Sequence, residues 1–257
     1  MRAIGTIAWK DFKSYFSGSK FYFIAMLFCG FLSFGYRILL EQFAKSSVQY
    51  MMQTQGQGGG LNLHSQVIVG HISYVHLVLF FFVPFLTVRL FAEEKKMRSF
   101  DLLMTSPVTS TQIVVGKFLA GLGVALVLIL ISLYYPLVSA TFADVQWGPL
   151  ASAYLGLTLL VAAYVAVGVF CSSLTDSVIV AGITSIIFSL MLWFVAWGSA
   201  MAETPLAQTV LNHMAVTYHF SNLVKGNVEL SGIIFHLSVI TLYCFLTQRV
   251  VESHRWR

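Results

Sequence analysis

Charge is what this sequence has least of. Asp, Glu, Lys and Arg make up only 10% of its 257 residues, against about a quarter in an ordinary soluble domain. Apolar residues make up 58%, and Phe alone occurs 22 times. So few charges cannot cover the surface of a soluble fold, which excludes a cytosolic globular domain; the same numbers exclude a disordered chain. Cysteine is also rare. Cys29, Cys171 and Cys244 stand far apart inside apolar runs without CxxC spacing, which argues against a metal knuckle and a disulfide framework. The net charge of +5 does not mark a nucleic-acid partner, because most bases flank apolar segments as membrane topology requires. The solvent of this chain is mostly lipid.

A helix needs about 20 apolar residues to cross the hydrocarbon core. Six stretches qualify: 21–40, 72–91, 113–141, 149–171, 178–200 and 231–248. None alternates with period two, as strands of a membrane barrel would. The expected fold is therefore all-α and polytopic, a single domain over 1–257 with six transmembrane helices. Of the fifteen Lys and Arg, all but Arg37, Lys45 and Lys225 fall on one side of that topology together with both termini. The positive-inside rule makes that side cytoplasmic. The first apolar run is about 20 residues long and lacks a small-x-small cleavage pattern, so it reads as an uncleaved anchor rather than a signal peptide.

Residues 1–20 have a different period. Ile4, Ile7, Ala8, Phe12, Tyr15 and Phe16 recur at three- and four-residue spacing, with Trp9, Lys10, Lys13 and Ser14 between them. That pattern predicts an amphipathic helix lying in the cytoplasmic interface with its lysines near anionic headgroups. Two external segments are expected. Residues 41–71 begin as a helical extension and end in a Gln- and Gly-rich loop at 53–60. Residues 201–230 open on Thr204-Pro205, a cap and first-turn pair; Leu206, Val210, Met214 and Tyr218 then form an amphipathic, re-entrant candidate.

The most informative stretch joins the second and third apolar runs. Between Arg89 and Lys117 lie eight of the 25 charged residues. The reading is one helix through Met104 with an apolar edge of Met97, Phe100 and Met104 beside a charged face. A turn at Thr105-Ser106-Pro107-Val108 ends it, since Pro107 disfavours helix at Ser106. Thr109-x-x-Gln112 then has capping-box spacing and restarts a helix. A charged face beside an apolar stripe suits docking into a groove on a soluble partner.

Glu93-Glu94-Lys95-Lys96, then Ser99 through Val108, and Gln112-Ile113-Val114-Val115-Gly116-Lys117 resemble the loop of ABC-2 type permeases. These are the membrane subunits of bacterial ATP-binding-cassette exporters. Many members read approximately E-E-x-x-x-G-T-x-E-L-L-L-T-S-P-V followed by E-I-V-x-G-K. Here Arg98-Ser99 replaces Gly-Thr, and Asp101 and Gln112 replace Glu. His219-Phe220, Lys225 through Val228, Phe245-Leu246-Thr247 and Arg255-Trp256 resemble the gliding-motility-type branch. The resemblance implies a type V exporter-like fold in the bacterial inner membrane. Its elbow would be the first helix, with Ile4, Trp9, Lys10, Phe12, Lys13 and Phe16. Residues 93–112 would couple to a separate ATPase subunit through Glu93, Glu94, Lys96, Arg98, Phe100, Asp101, Leu102, Leu103, Thr105, Ser106, Pro107 and Gln112. That partner would carry ATP and Mg. It also implies a second permease chain, identical or related. An auxiliary membrane subunit with a large external domain accompanies permeases of that branch.

What the chain lacks fits this division. The only Gly-Lys before a helix, Gly116-Lys117, has Thr111 where a phosphate loop needs its first Gly and Phe118 where it needs a hydroxyl. ATP chemistry is therefore expected on another chain, and Lys117 is expected to anchor a helix end at the headgroups. No acid falls at mid-span, which argues against an ion-driven carrier. No H-E-x-x-H, G-x-S-x-G or paired intramembrane aspartate suggests an enzyme. His64, His71, His213 and His219 lack a carboxylate or thiol at ligand spacing, so no metal site is expected. His76 and His236 are expected as packing histidines, or as pathway residues with Ser132, Thr184 and Ser189. Gly116, Ala120, Gly121, Val124 and Ala125 form a small face for close packing. The alternative function is an energy-transducing or structural membrane subunit of an envelope machine, moving no solute. An ion channel is a third class, against which the loop argues.

Overall fold

A computed structural model describes residues 2–53, 62–105 and 107–255, with the side chains of Arg2, Asp101, Ala200 and Arg255 outside that description. The Gly58–Gly60 run, Ser106 and Trp256 also lie outside the described residues. Among the described residues the chain is all-helical, and six helices are long and apolar enough to cross a membrane. The end of the bundle that carries the first helix and the 89–117 connection is called the basic end below.

α1 (Arg2–Phe16) precedes the first long helix, α2 (Ser19–Gln53). The second span is one helical rod from His64 to Lys96. It comprises a π-helical turn (His64–Ile68), α3 (Val69–Val88), a second π-helical turn (Arg89–Glu93) and α4 (Glu94–Lys96). At 33 residues the rod is about 50 Å long, against ~30 Å of hydrocarbon. It therefore extends past both ends of the expected 72–91 span. Pro84 lies inside it and removes one backbone donor shortly before the second π turn.

The third span, expected unbroken over 113–141, runs from Ser110 to Ser139 with one interruption at Leu133. α6 (Ser110–Ser132) gives way at Leu133 to the short α7 (Tyr134–Ser139), with α5 (Ser99–Met104) preceding both. Pro136 is the cause: it has no N–H to return to the carbonyl of Ser132. That carbonyl is met by His71 Nε2 at 3.3 Å. The Ser132 hydroxyl turns back to Ile129 O at 2.7 Å and meets Tyr154 at 3.2 Å. His71 is fully buried between the rings of Tyr36 and Tyr135.

α8 (Trp147–Leu174) is the axis of the bundle. It packs on α3, α6, α9 (Val178–Met201), α11 (Val216–Val224) and α12 (Leu230–Arg255). Of its most apolar window 78% is buried, against 22% for α2, α9 and α12, so the last three present their apolar faces outward to lipid or to another chain. Small residues allow α8 so many neighbours. At Gly168, a Cβ would fall 2.0 Å from the Thr87 hydroxyl of α3. The segment between α9 and α12 folds as α10 (Pro205–Met214), capped by Thr204, followed by α11. α10 exposes Leu206, Val210 and Met214, whereas α11 buries Phe220 and Leu223 against α8. Gly226 at φ 90 caps α11, its N–H reaching Leu223 O at 3.1 Å.

Candidate functional site

α1 is held by the bundle. It packs along α6, where Gly116 meets Ile4 and Ile7 and Gly123 meets the Phe12 ring. The small face expected on this helix is thus the seat of α1 and, through Gly121, of Leu90 and Val165. Seating α1 there buries Asp11 and Tyr15 and leaves Trp9, Lys10 and Lys13 exposed. Ile4 is half-buried, and Phe12 and Phe16 pack against the core.

Lys117 is not a headgroup anchor: it is 1% exposed. Its ammonium lies 3.1 Å from Asp11 of α1 and 2.7 Å from Glu94 of α4, over the Phe91 ring. A lysine in that position has to be paired, because an isolated buried ammonium costs several kcal/mol. Lys10 extends the cluster, 3.7 Å from Asp11 and 3.8 Å from Glu94. Glu93 is held by Arg89 at 2.9 Å and by Lys20 of α2 at 3.1 Å. Arg89 covers the Tyr15 ring, whose hydroxyl donates to Leu86 O at 2.5 Å. Burial raises the Tyr15 phenol well above its usual value, so it remains a donor. A cavity of about 230 Å³ opens among Lys10, Tyr15, Arg89, Glu94 and Lys117. Four bases and three acids thereby join α1, α2, α4 and α6 at one point. Glu93 and Glu94, expected to face a partner, spend their charge inside the molecule.

Beyond α4 the expected single helix is interrupted. Arg98 adopts φ 57, a left-handed conformation that L side chains avoid. Ser99 Oγ bonds Glu94 O at 3.2 Å across this break, and α5 follows. The position is the one where the loop pattern quoted above carries Gly. Phe100 is buried against Phe91 and His254, and Leu103 and Met104 pack on the core. Thus most of the apolar edge is used internally. Met97 and Leu102 remain, 73% and 74% exposed, beside exposed Lys96, Arg98, Thr105 and Pro107. The capping box forms: Thr109 N–H donates to Gln112 Oε1 at 3.1 Å, and Gln112 N–H to Thr109 Oγ1 at 3.3 Å.

The residues considered for a pathway do not come together. Ser132 closes α6 at the Leu133 interruption. His76 bonds the Tyr164 hydroxyl at 3.0 Å and packs on Phe220. His236 is buried, its Nδ1 2.7 Å from Gly232 O, and its ring neighbours His219. α11 therefore contributes one neighbour to each, Phe220 to His76 and His219 to His236. Thr184 bonds the carbonyls of Val180 and Ala181, and Ser189 is buried on the same helix. Of the outer histidines, His219 Nε2 lies 3.0 Å from His213 O, and His64 is buried in the first π turn.

Sequence reasoning did not single out Asp11 or the depth of Lys117. The trace was present: one acid in a basic amphipathic helix, and one base between Gly116 and Phe118 in an apolar run.

These features define a multi-pass helical membrane protein whose basic end carries a helical connection tied into the bundle by ion pairs. A family model described as ABC-2 family transporter protein matches residues 5–256, and the chain belongs to that family. The family is a membrane transport component of ATP-binding-cassette transporters and is not itself catalytic. No curated protein matches the chain.

Proposed function

We propose that the chain is the permease subunit of an ATP-driven exporter in a bacterial cytoplasmic membrane, of the gliding-motility-type branch, with its basic end and both termini in the cytoplasm. Two such chains, identical or related, form the pathway, and a separate subunit supplies ATP and Mg. The observation that carries this reading is the connection at the basic end. It offers an exposed apolar pair, Met97 at the end of α4 and Leu102 on α5, and α4 is anchored through Glu94 to Lys10 of α1 and Lys117 of α6. A partner that grips the pair pulls on the start of the third span and on the elbow together. Glu93 and Glu94 act as the anchor and the apolar pair as the handle.

The test is co-purification with a nucleotide-binding subunit, followed by ATPase assays in liposomes. Leu102→Asp is expected to abolish binding of that subunit while the permease stays inserted. Glu94→Lys is expected to leave binding intact and to uncouple ATP turnover from substrate movement. Full ATP-dependent activity in both variants would overturn the coupling assignment. ATP turnover that moves no solute would favour an energy-transducing role in an envelope machine.

A further inference from the structure

At the end opposite the basic one, α3, α9 and α11 enclose two adjoining cavities that share His76 and Trp193. The wider, about 340 Å³, is walled in part by Ser73, Thr217, Ser221 and Lys225. The narrower, about 140 Å³, continues between Leu77, Phe80, Phe81 and Leu190. Along α3 the lining runs from Val69 to Phe81, about 18 Å of helix, more than half of a ~30 Å hydrocarbon core. The wider chamber mixes Val69, Phe220 and Val224 with one cation and three hydroxyls, and beyond His76 and Trp193 the narrower one is lined by aliphatic and aromatic groups alone.

Two further observations point to a ligand. The Thr217 hydroxyl is buried and has no hydrogen-bond partner among the described residues, and an orphan of that kind needs a partner from elsewhere. No acid among the described residues pairs with Lys225, so the mouth carries an uncompensated positive charge. His76 is already spent on Tyr164 and shapes the wall between the two chambers.

We infer that this cleft binds an amphiphile with one aliphatic chain and an anionic headgroup. Lys225 and the Thr217 hydroxyl hold the headgroup, the Ser73 and Ser221 hydroxyls being donated to Val69 O and Tyr218 O, and the chain lies between Phe80, Phe81, Leu190 and Trp193. The inference names a substrate class for the exporter proposed above and rests on that reading for the direction of movement, but not for binding.

Binding is tested on the full chain in phosphatidylcholine nanodiscs without ATP or ATPase subunit. The probe is a palmitate analogue with a diazirine near its methyl end. Photo-adducts are expected on the peptides containing Phe80, Phe81 and Trp193. Palmitate and hexadecyl phosphate should both compete and hexadecanol should not; the stronger acid competitor identifies a carboxylate or a phosphate head. Lys225→Glu should weaken labelling about tenfold, attraction being replaced by repulsion at an exposed site. Leu190→Trp should fill the inner chamber and abolish the same adducts. Labelling spread over α2 and α12 and indifferent to both variants would overturn the site, as would competition by hexadecanol equal to that by palmitate. Because no ATP is present, such a failure leaves the exporter reading standing. Specific labelling that ATP turnover never displaces would keep the site and overturn the exporter.

Discussion

Arg98 and Lys117 are the two residues whose chemistry departs furthest from what their types prefer. Arg98 holds a left-handed backbone between α4 and α5, at a cost of roughly 1–2 kcal/mol for a residue with a Cβ. Glycine relieves that cost but loses more freedom on folding, so Arg98→Gly is expected to gain about 0.5–1 kcal/mol. Thermal unfolding in detergent reads this as an upward shift of the midpoint. Arg98→Ala keeps the Cβ and should gain nothing; equal gains from both variants would show that charge, not backbone strain, is responsible. Lys117 poses the opposite case. It neutralises Asp11 and Glu94 together, so Lys117→Met leaves two carboxylates facing each other in a buried site. A loss of about 3–5 kcal/mol is expected, whereas Lys10→Met, at the exposed rim of the cluster, should cost under ~1 kcal/mol. Comparable losses from the two variants would contradict the burial of Lys117.

Among the elements, what could be read from sequence was local. The Thr109–Gln112 capping box forms between residues three apart; the interruption before Pro136 went unread, although the proline and the carbonyl four residues before it are just as local. The anchoring of α1 was not legible in the same way. Asp11 and Lys117 are 106 positions apart, and periodicity carries no information about which distant acid meets a buried base. The break at Arg98 was marked only by the glycine of the loop pattern, and a helical apolar stripe of Met97, Phe100 and Met104 reads straight through it. Helix contacts set by small residues are similarly visible as a face but not as a pair. The α3–α8 crossing at Thr87 and Gly168 tests this. Gly168→Ala should cost about 1–3 kcal/mol by overpacking. Thr87→Gly, which empties the opposing side, should recover part of that loss in the double variant, with a coupling above ~0.5 kcal/mol. Additive losses would mean that the helices separate instead of interlocking.

For the whole molecule, the ion cluster decides what can move relative to what. Lys117 and Glu94 join the start of α6 to the end of the second span, while Asp11 and the Gly116 and Gly123 contacts join α1 to the same point. Interlocked side chains and buried, fully paired charges resist sliding more than lipid-facing helix surfaces do. On the proposed reading, α1 and the first half of α6 therefore swing as one body when the partner ATPase closes, and α4 links that body to α8 and α12 through Lys95, which meets Ser173 O at 2.7 Å and His254 Nε2 at 3.0 Å. A cross-link within that body should be silent. Phe12→Cys with Gly123→Cys, in a chain whose Cys29, Cys171 and Cys244 are replaced by Ala, places the pair where the Phe12 ring now meets α6. Oxidation is expected to leave ATPase stimulation and substrate movement at the level of the reduced protein. If oxidation stopped substrate movement and reduction restored it, α1 would have to slide along α6 during turnover. The cluster around Lys117 would then be a catch released in each cycle, and Lys117→Met would raise basal ATPase activity instead of only weakening the fold.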